Sequence, residues 1–230
     1  MLNISMCALK YPCLNGFMST PSDQRDHPRQ RLLLAAEVLI AERGAAVPLR
    51  DIAIAAGQRN NSAVNYHFGS RDGLIQFVVD QRTGAMEQRR SRLLTESIGT
   101  DPGLPQLVRI LAEPMLITPY EQGSTHYARF AEQVRAHPVI VEWLRGKGEW
   151  TATKKLTDLM AARLTHLSAS VRRRQIGAMS TILFALAADR ERALAEGQSA
   201  LSHDEIIAIL TNALRADVAD VRAAGSGARQ

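Results

Sequence analysis

The sequence predicts an all-α protein, and three observations carry that expectation. Gly (15) and Pro (9) are sparse among 230 residues, whereas Ala, Leu, Arg and Glu, all good helix formers, are abundant. Apolar residues recur at helical spacing in successive segments, each bounded by Gly, Pro or Ser. No segment shows the period-two alternation of a half-buried strand, and no internal repeat is found.

Composition narrows the class further. Hydrophobic residues make up 46% and charged residues 22%, an ordinary balance with enough length for a real core and one or two domains. The net charge of +5, with a pI near 9.6, suits a polyanion partner but is mild for this length. Cys7 and Cys13 stand six apart without His neighbours, match no zinc spacing and read as reduced thiols, which points to a reducing cytosol. No apolar run approaches the ~20 residues of a membrane span, and no signal-peptide core is seen, so a cytoplasmic protein is expected. Met18 is an alternative candidate start of translation.

Residues 1–26 hold Pro12, Gly16 and Pro21 among scattered polar groups and read as a disordered arm, with Arg25, Arg29 and Arg31 at its end. The first helix is expected over Pro28 to Arg43, with Pro28 in the first turn. Leu32, Leu33, Ala36, Leu39 and Ile40 form one face, while Arg29, Glu37 and Glu42 fall outside it. Gly44 suits a left-handed terminus. Pro48 opens the second helix, Ile52, Ala53, Ala55 and Ala56 supply its inward face, and Gly57 ends it. Gln58, Arg59 and Asn60 make a turn, and Asn60 or Asn61 caps a short third helix from about Asn61 to Phe68. There Val64 and Phe68, four apart, point inward and leave Ser62, Ala63, Asn65, Tyr66 and His67 on or near the other faces. Ser70 caps a long fourth helix to about Ser97, with Asp72 at the positive end of its dipole.

Gly99, Pro102, Gly103 and Pro105 mark a break. Beyond it, helices are expected over Leu104 to Ile117, interrupted at Pro114, and over Ser124 to Ala136. A long helix from Pro138 would contain Trp143 and Trp150 with bends at Gly146 and Gly148. Another runs from Ser168 to Glu196, and a last one, opened by the capping box Ser202-x-x-Glu205, reaches about Ala223.

Two helices crossing at a turn after Gly57 outline a helix-turn-helix, whose second helix can enter a DNA major groove. At Ala63-Val64-Asn65-Tyr66-His67-Phe68-Gly69-Ser70-Arg71-Asp72, followed by Leu74, the chain resembles the DNA-binding domain of TetR-family transcriptional regulators. RLLLAAEVLIAERG and LRDIAIAAG resemble that family's first and second helices, so the likeness spans roughly residues 29–80. Two departures stand out. Pro48 replaces the family's usual capping Thr and its phosphate-contacting hydroxyl, and the turn at Gln58–Asn60 is one residue longer.

The resemblance implies an N-terminal three-helix helix-turn-helix domain (27–75) and a larger C-terminal helical domain for dimerisation and ligand binding (76–225), with a tail at 226–230. The expected function is a ligand-responsive DNA-binding regulator, a repressor that binds a palindromic operator as a dimer. Asn61, Ser62, Ala63 and Asn65 supply the side chains that read base edges. Tyr66, His67, Arg50, Arg59 and Arg71 are phosphate or turn contacts. Between Arg25 and Arg71, seven Arg against four acids give +3, enough for salt-dependent phosphate contacts. The helices at about 168–196 and 202–223 are expected to pair with their copies in a homodimer.

In this family the helices over 104–166 enclose an effector pocket. Met115, Tyr120, His126, Tyr127, Phe130, Trp143, Trp150 and Phe184 are the candidate lining. They suggest an apolar pocket with few charges, suited to a hydrophobic or aromatic small molecule. The ligand would tilt the fourth helix and alter recognition-helix spacing. No phosphate loop, nucleophile elbow, metal-spaced cluster or paired carboxylates are found, so neither an enzyme nor a cofactor or metal site is expected. The alternatives are a non-specific nucleoid-type DNA-binding protein and, behind it, a helical enzyme.

Overall fold

The computed structural model describes residues 28–58, 62–97, 99–146 and 150–216, those at 62, 63 and 143–146 by their backbone. The expected N-terminal arm, the turn residues Arg59, Asn60 and Asn61, and the stretch beyond 216 lie outside the described residues. Among the described residues there are ten helices and no strand. They are α1 (Pro28–Arg43), α2 (Leu49–Ala55), α3 (Ser62–Phe68), α4 (Arg71–Glu96), α5 (Leu104–Glu121), α6 (Tyr127–Val134), α7 (Pro138–Gly146), α8 (Thr151–Arg163), α9 (Ala169–Ala195) and α10 (His203–Arg215). None of them is long and apolar enough to cross a membrane.

The first four helices form a compact unit. Leu32, Leu33, Ala36 and Ile40 of α1 meet Ile52 and Ala53 of α2, Val64 of α3 and Leu74, Ile75 and Val78 of α4, all buried. Gly44 leaves α1 at φ +84°, a conformation that other residues rarely adopt. Pro48 precedes α2 in an extended conformation and offers no side-chain cap. Ser70 caps α4 by accepting from the Gly73 N–H at 3.0 Å. Two sequence expectations change here. Ala55 is exposed, because Ile52, Ala53 and Ala56 already fill the inward arc of α2. Glu37 is buried rather than outside the core face of α1. Arg82 of α4 neutralises it, its Nε and Nη2 donating to the two carboxylate oxygens at 2.6 and 3.0 Å.

The C-terminal helices pack around α4 and α6. α4 lies against α5 and α8, α6 is held between α1 and α9, and α10 lies on α5 and α9. α5 runs through Pro114 without interruption, contrary to the sequence expectation. The proline lacks an N–H and its ring crowds the preceding turn. The carbonyl that Pro114 leaves without its helical donor is that of Ile110; the next one, of Leu111, accepts from Arg90 Nε at 2.9 Å, so a side chain of α4 ties this turn of α5 to its neighbour. The helix expected to carry both tryptophans is two helices, α7 and α8. α7 is described to Gly146 and Trp150 stands outside helix before α8; glycine, present at 146 and 148, disfavours helix by about 1 kcal/mol.

Candidate nucleic-acid interface and effector cavity

The heptapeptide α3 turns Val64 fully inward, and with it Phe68 half-buried against the Phe77 ring, centroids 5.0 Å apart. Helical geometry then places the intervening residues outward. Asn65 is exposed, and Tyr66 is 85% exposed, the most exposed large hydrophobic side chain among the described residues. His67 is half-buried and edge-on to Tyr66, centroids 5.0 Å apart. Ser62 and Ala63 begin this helix; their side chains, like all of Arg59 and Asn61, lie outside the description.

The cations around α3 fall into two kinds. Arg50 on α2 is exposed. Arg71, at the start of α4, is half-buried, and its Nη1 donates to the Ala45 carbonyl at 2.9 Å and to the Val47 carbonyl. Arg71 therefore fastens the α1–α2 loop to α4, a positioning role that the sequence did not reveal. Arg29, expected at the end of a basic arm, has its guanidinium over the Phe77 and Phe68 rings, at 4.6 and 5.5 Å from their centroids.

Contacts between the two halves cluster on α1 and the start of α4. Glu42 approaches His126 Nε2 at 3.7 Å, and Asp72 approaches His137 Nε2 at 3.8 Å, one contact just before α6 and one just after it. Arg82, paired with Glu37, also donates from Nη1 to Gln122 Oε1 at 3.1 Å. The helix-turn-helix unit is thus gripped through polar contacts by the elements that follow it.

The candidate pocket residues separate into two cavities and a packed core. Met115, Trp150 and Phe184 line a cavity of about 900 Å³ between α4, α5, α8 and α9. Tyr120 and His126 line another, of about 610 Å³, between the end of α5, the loop before α6 and the end of α9. Tyr127 and Phe130 line neither; both are buried on α6, with rings 6.3 Å apart. The side chain of Trp143 lies outside the description. Burial, reinforced by Glu37, pushes the Tyr127 hydroxyl up to about 12. Tyr120 donates to Glu191 Oε2 at 2.6 Å, and burial followed by that carboxylate keeps its hydroxyl far above the usual tyrosine value. Glu191 also accepts the Ala128 N–H at 2.9 Å, capping α6 from α9.

The larger cavity differs from the weakly charged pocket expected. Its wall includes Arg90, Lys154, Lys155 and Asp158 beside Leu111, Met115, Leu183 and Phe184. Arg90 is held by Leu111, by Glu87 Oε1 at 3.0 Å and by Thr153 Oγ1 at 3.3 Å. Burial holds its guanidinium below the ordinary arginine value, with Glu87 opposing the shift. The other Glu87 oxygen accepts the Ala152 and Thr153 N–H groups, both at 3.1 Å, and caps α8. A signal for these residues lies in the sequence. The series 74, 78, 82, 86, 90, 94 runs along one face of α4, and its members are Leu, Val, Arg, Met, Arg and Leu.

No family model matches the chain, and no curated protein matches it. Solved structures do. A protein of Rhodococcus sp., provisionally named a TetR-family transcriptional regulator, superposes with a TM-score of 0.51 at 19% identity, over 82% of this chain and 97% of that one. The fold is the TetR-regulator fold. A protein of Rhodococcus sp. RHA1, provisionally named a transcriptional regulator, matches at 20% identity over 84% and 97% of the two chains, but its TM-score of 0.38 is too loose to carry structural argument. Within the TetR-regulator fold α1–α4 hold the helix-turn-helix unit and α5–α10 the helical remainder, with α4 running through both.

Proposed function

We propose that this chain is a TetR-family, ligand-responsive DNA-binding regulator. It represses from a palindromic operator as a cytoplasmic homodimer and leaves DNA when a small molecule with a hydrophobic or aromatic body binds. Residues 27–75 form the DNA-binding domain and 76–225 the dimerisation and effector domain. The observation that carries the reading is α3 itself. Its Val64 is fully buried while Asn65 and Tyr66 beside it stand in solvent. A large exposed aromatic on a short, core-anchored helix has no packing rationale, and it suits contact with a phosphate or base.

In this reading Ser62, Ala63 and Asn65 face base edges, with Asn61 at the helix start. Tyr66, His67, Arg50 and Arg59 contact the backbone, and Arg71 contributes through the loop that it fastens. The effector enters the cavity between α4, α5, α8 and α9, and the polar contacts of α1 and α4 with the following helices transmit the change. A coupling of about 1–3 kcal/mol suffices for a 5–150-fold loss of DNA affinity.

The test is selection of duplexes from a random pool by the full-length protein. A palindromic consensus with half-sites ~34–36 Å apart supports the reading. Recovery of unselected sequence would replace it with non-specific, nucleoid-type binding. Tyr66→Ala separates folding from function. Its stability stays within about 0.5 kcal/mol of wild type, as for surface substitutions generally, while affinity for the selected duplex falls. Unchanged affinity would remove Tyr66 from the interface.

A further inference from the structure

The larger cavity contains a donor that packing alone does not explain. Arg90 is only 7% exposed, yet it lines the cavity. Its Nε and Nη1 are engaged by Leu111, Glu87 and Thr153. Its Nη2 has no hydrogen-bond partner among the described residues. Nη2 is not a fully buried orphan; it keeps access to the cavity, where its N–H groups are open to an acceptor. The lining also carries Lys154 and Lys155 against one acid, Asp158. Glu87, paired with Arg90, is turned to the α8 backbone and to Arg90 itself. The apolar part of the lining is formed by Leu111, Met115, Leu183 and Phe184.

We infer that this cavity takes an anionic amphiphile, a carboxylate with an apolar aliphatic or aromatic body. The carboxylate accepts from Arg90 Nη2 and faces Lys154 and Lys155, while the body lies against Met115, Leu183 and Phe184. Arginine suits this task because its planar fork presents fixed donors to a carboxylate. The inference rests on the reading of the chain as a ligand-responsive regulator and narrows its effector from any apolar molecule to an acid. It also places the ligand head against α4, since Arg90 is a residue of the helix that runs on from the DNA-binding unit.

Matched pairs test it. Decanoate and 4-phenylbutanoate, each beside its methyl ester, are titrated into the full-length protein at neutral pH by calorimetry. Each acid binds more tightly than its ester by about tenfold or more, the range of one charge-assisted hydrogen bond. Lys154→Gln with Lys155→Gln, both exposed positions, narrows that gap without altering the melting temperature. Arg90→Lys narrows it further by removing the fork while keeping the charge. Met115→Trp, which narrows the cavity, weakens binding of acid and ester alike. Esters binding as tightly as acids overturn the anionic assignment and leave the cavity as an apolar effector site. Binding of neither acid nor ester overturns the assignment and the effector cavity together, while the duplex selection still judges the DNA reading. Acid affinity unchanged in Met115→Trp places the acid elsewhere and overturns the assignment as well.

Discussion

At the scale of the residue, the pair Glu37–Arg82 shows how charge is tolerated inside this molecule. The two side chains are 1% and 2% exposed and share two hydrogen bonds. Burying such a pair gives little net stability, because desolvation offsets the attraction, but removing one partner strands the other charge. Glu37→Met or Arg82→Met alone is therefore expected to cost about 3–5 kcal/mol in urea unfolding, and the double replacement less than either. Two losses that simply add would show that the carboxylate and the guanidinium do not depend on each other. Both Arg82 and Arg90 are conspicuous only in retrospect. Each occupies the inward stripe of α4, where the sequence shows an arginine and the usual reading is solvent. What makes them interior is tertiary: Glu37 from α1 for one, the Leu111 carbonyl in the Pro114 turn and Glu87 for the other.

At the scale of the element, local chemistry was the most legible part of the chain. α1 spans Pro28–Arg43 as its apolar spacing predicts, and Ser70 and Ser202 cap the helices expected of them. Ser202 and Glu205 exchange hydrogen bonds in a full capping box, with the Ser202 N–H donating to Glu205 Oε2 at 2.7 Å. The Ser202 N–H and hydroxyl hold the Glu205 carboxyl below its ordinary value. A depressed carboxylate stabilises the fold above its unfolded pKa, about 4.3 for Glu, and that stability is lost as pH falls through the lower folded value. Glu205→Gln should therefore flatten the acid limb of melting temperature against pH, and Ser202→Ala, which removes the N-cap acceptor, should lower stability by about 1 kcal/mol, as N-cap losses generally do. An unchanged acid limb would mean that the box does not form in solution. The same locality explains the errors. Pro114 reads as a break because a helix interior normally rejects it, yet α5 continues through it, held by its packing on α4 and α10. The split between α7 and α8 was foreshadowed by Gly146 and Gly148, but bend and break look alike in a sequence. On α3, the four-residue spacing of Val64 and Phe68 sufficed to place Asn65 and Tyr66 outside, since a seven-residue helix has only one inward face.

At the scale of the whole molecule, the proposed function needs two α3 helices at a fixed separation, and the surface offers a place to pair them. α10 buries Ile206, Ile207, Leu210 and Leu214 against its own chain, yet Ile209 remains 39% exposed on the other side. On α9, which packs against α10, Gly177, Ala178 and Thr181 are exposed small residues that permit close helix approach. A four-helix contact of α9 and α10 with their copies would cover this surface, and a two-fold axis there would present both α3 helices to one face of a duplex. Ile209→Glu tests the arrangement because it places a charge in the contact while leaving the buried face of α10 intact. Sedimentation should show the dimer dissociation constant rising by about tenfold or more, equivalent to 1.4 kcal/mol. The melting temperature of the monomer core should hold, and affinity for a palindromic duplex should fall toward that for a single half-site. Because fewer phosphates are then neutralised together, the slope of log affinity against log salt should shrink in the same variant. Tyr66→Ala is the contrasting control, losing DNA while remaining dimeric. An Ile209→Glu protein that stays dimeric and keeps both its affinity and its salt slope would move the two-fold axis away from α9 and α10, and with it the geometry by which effector binding is proposed to control DNA.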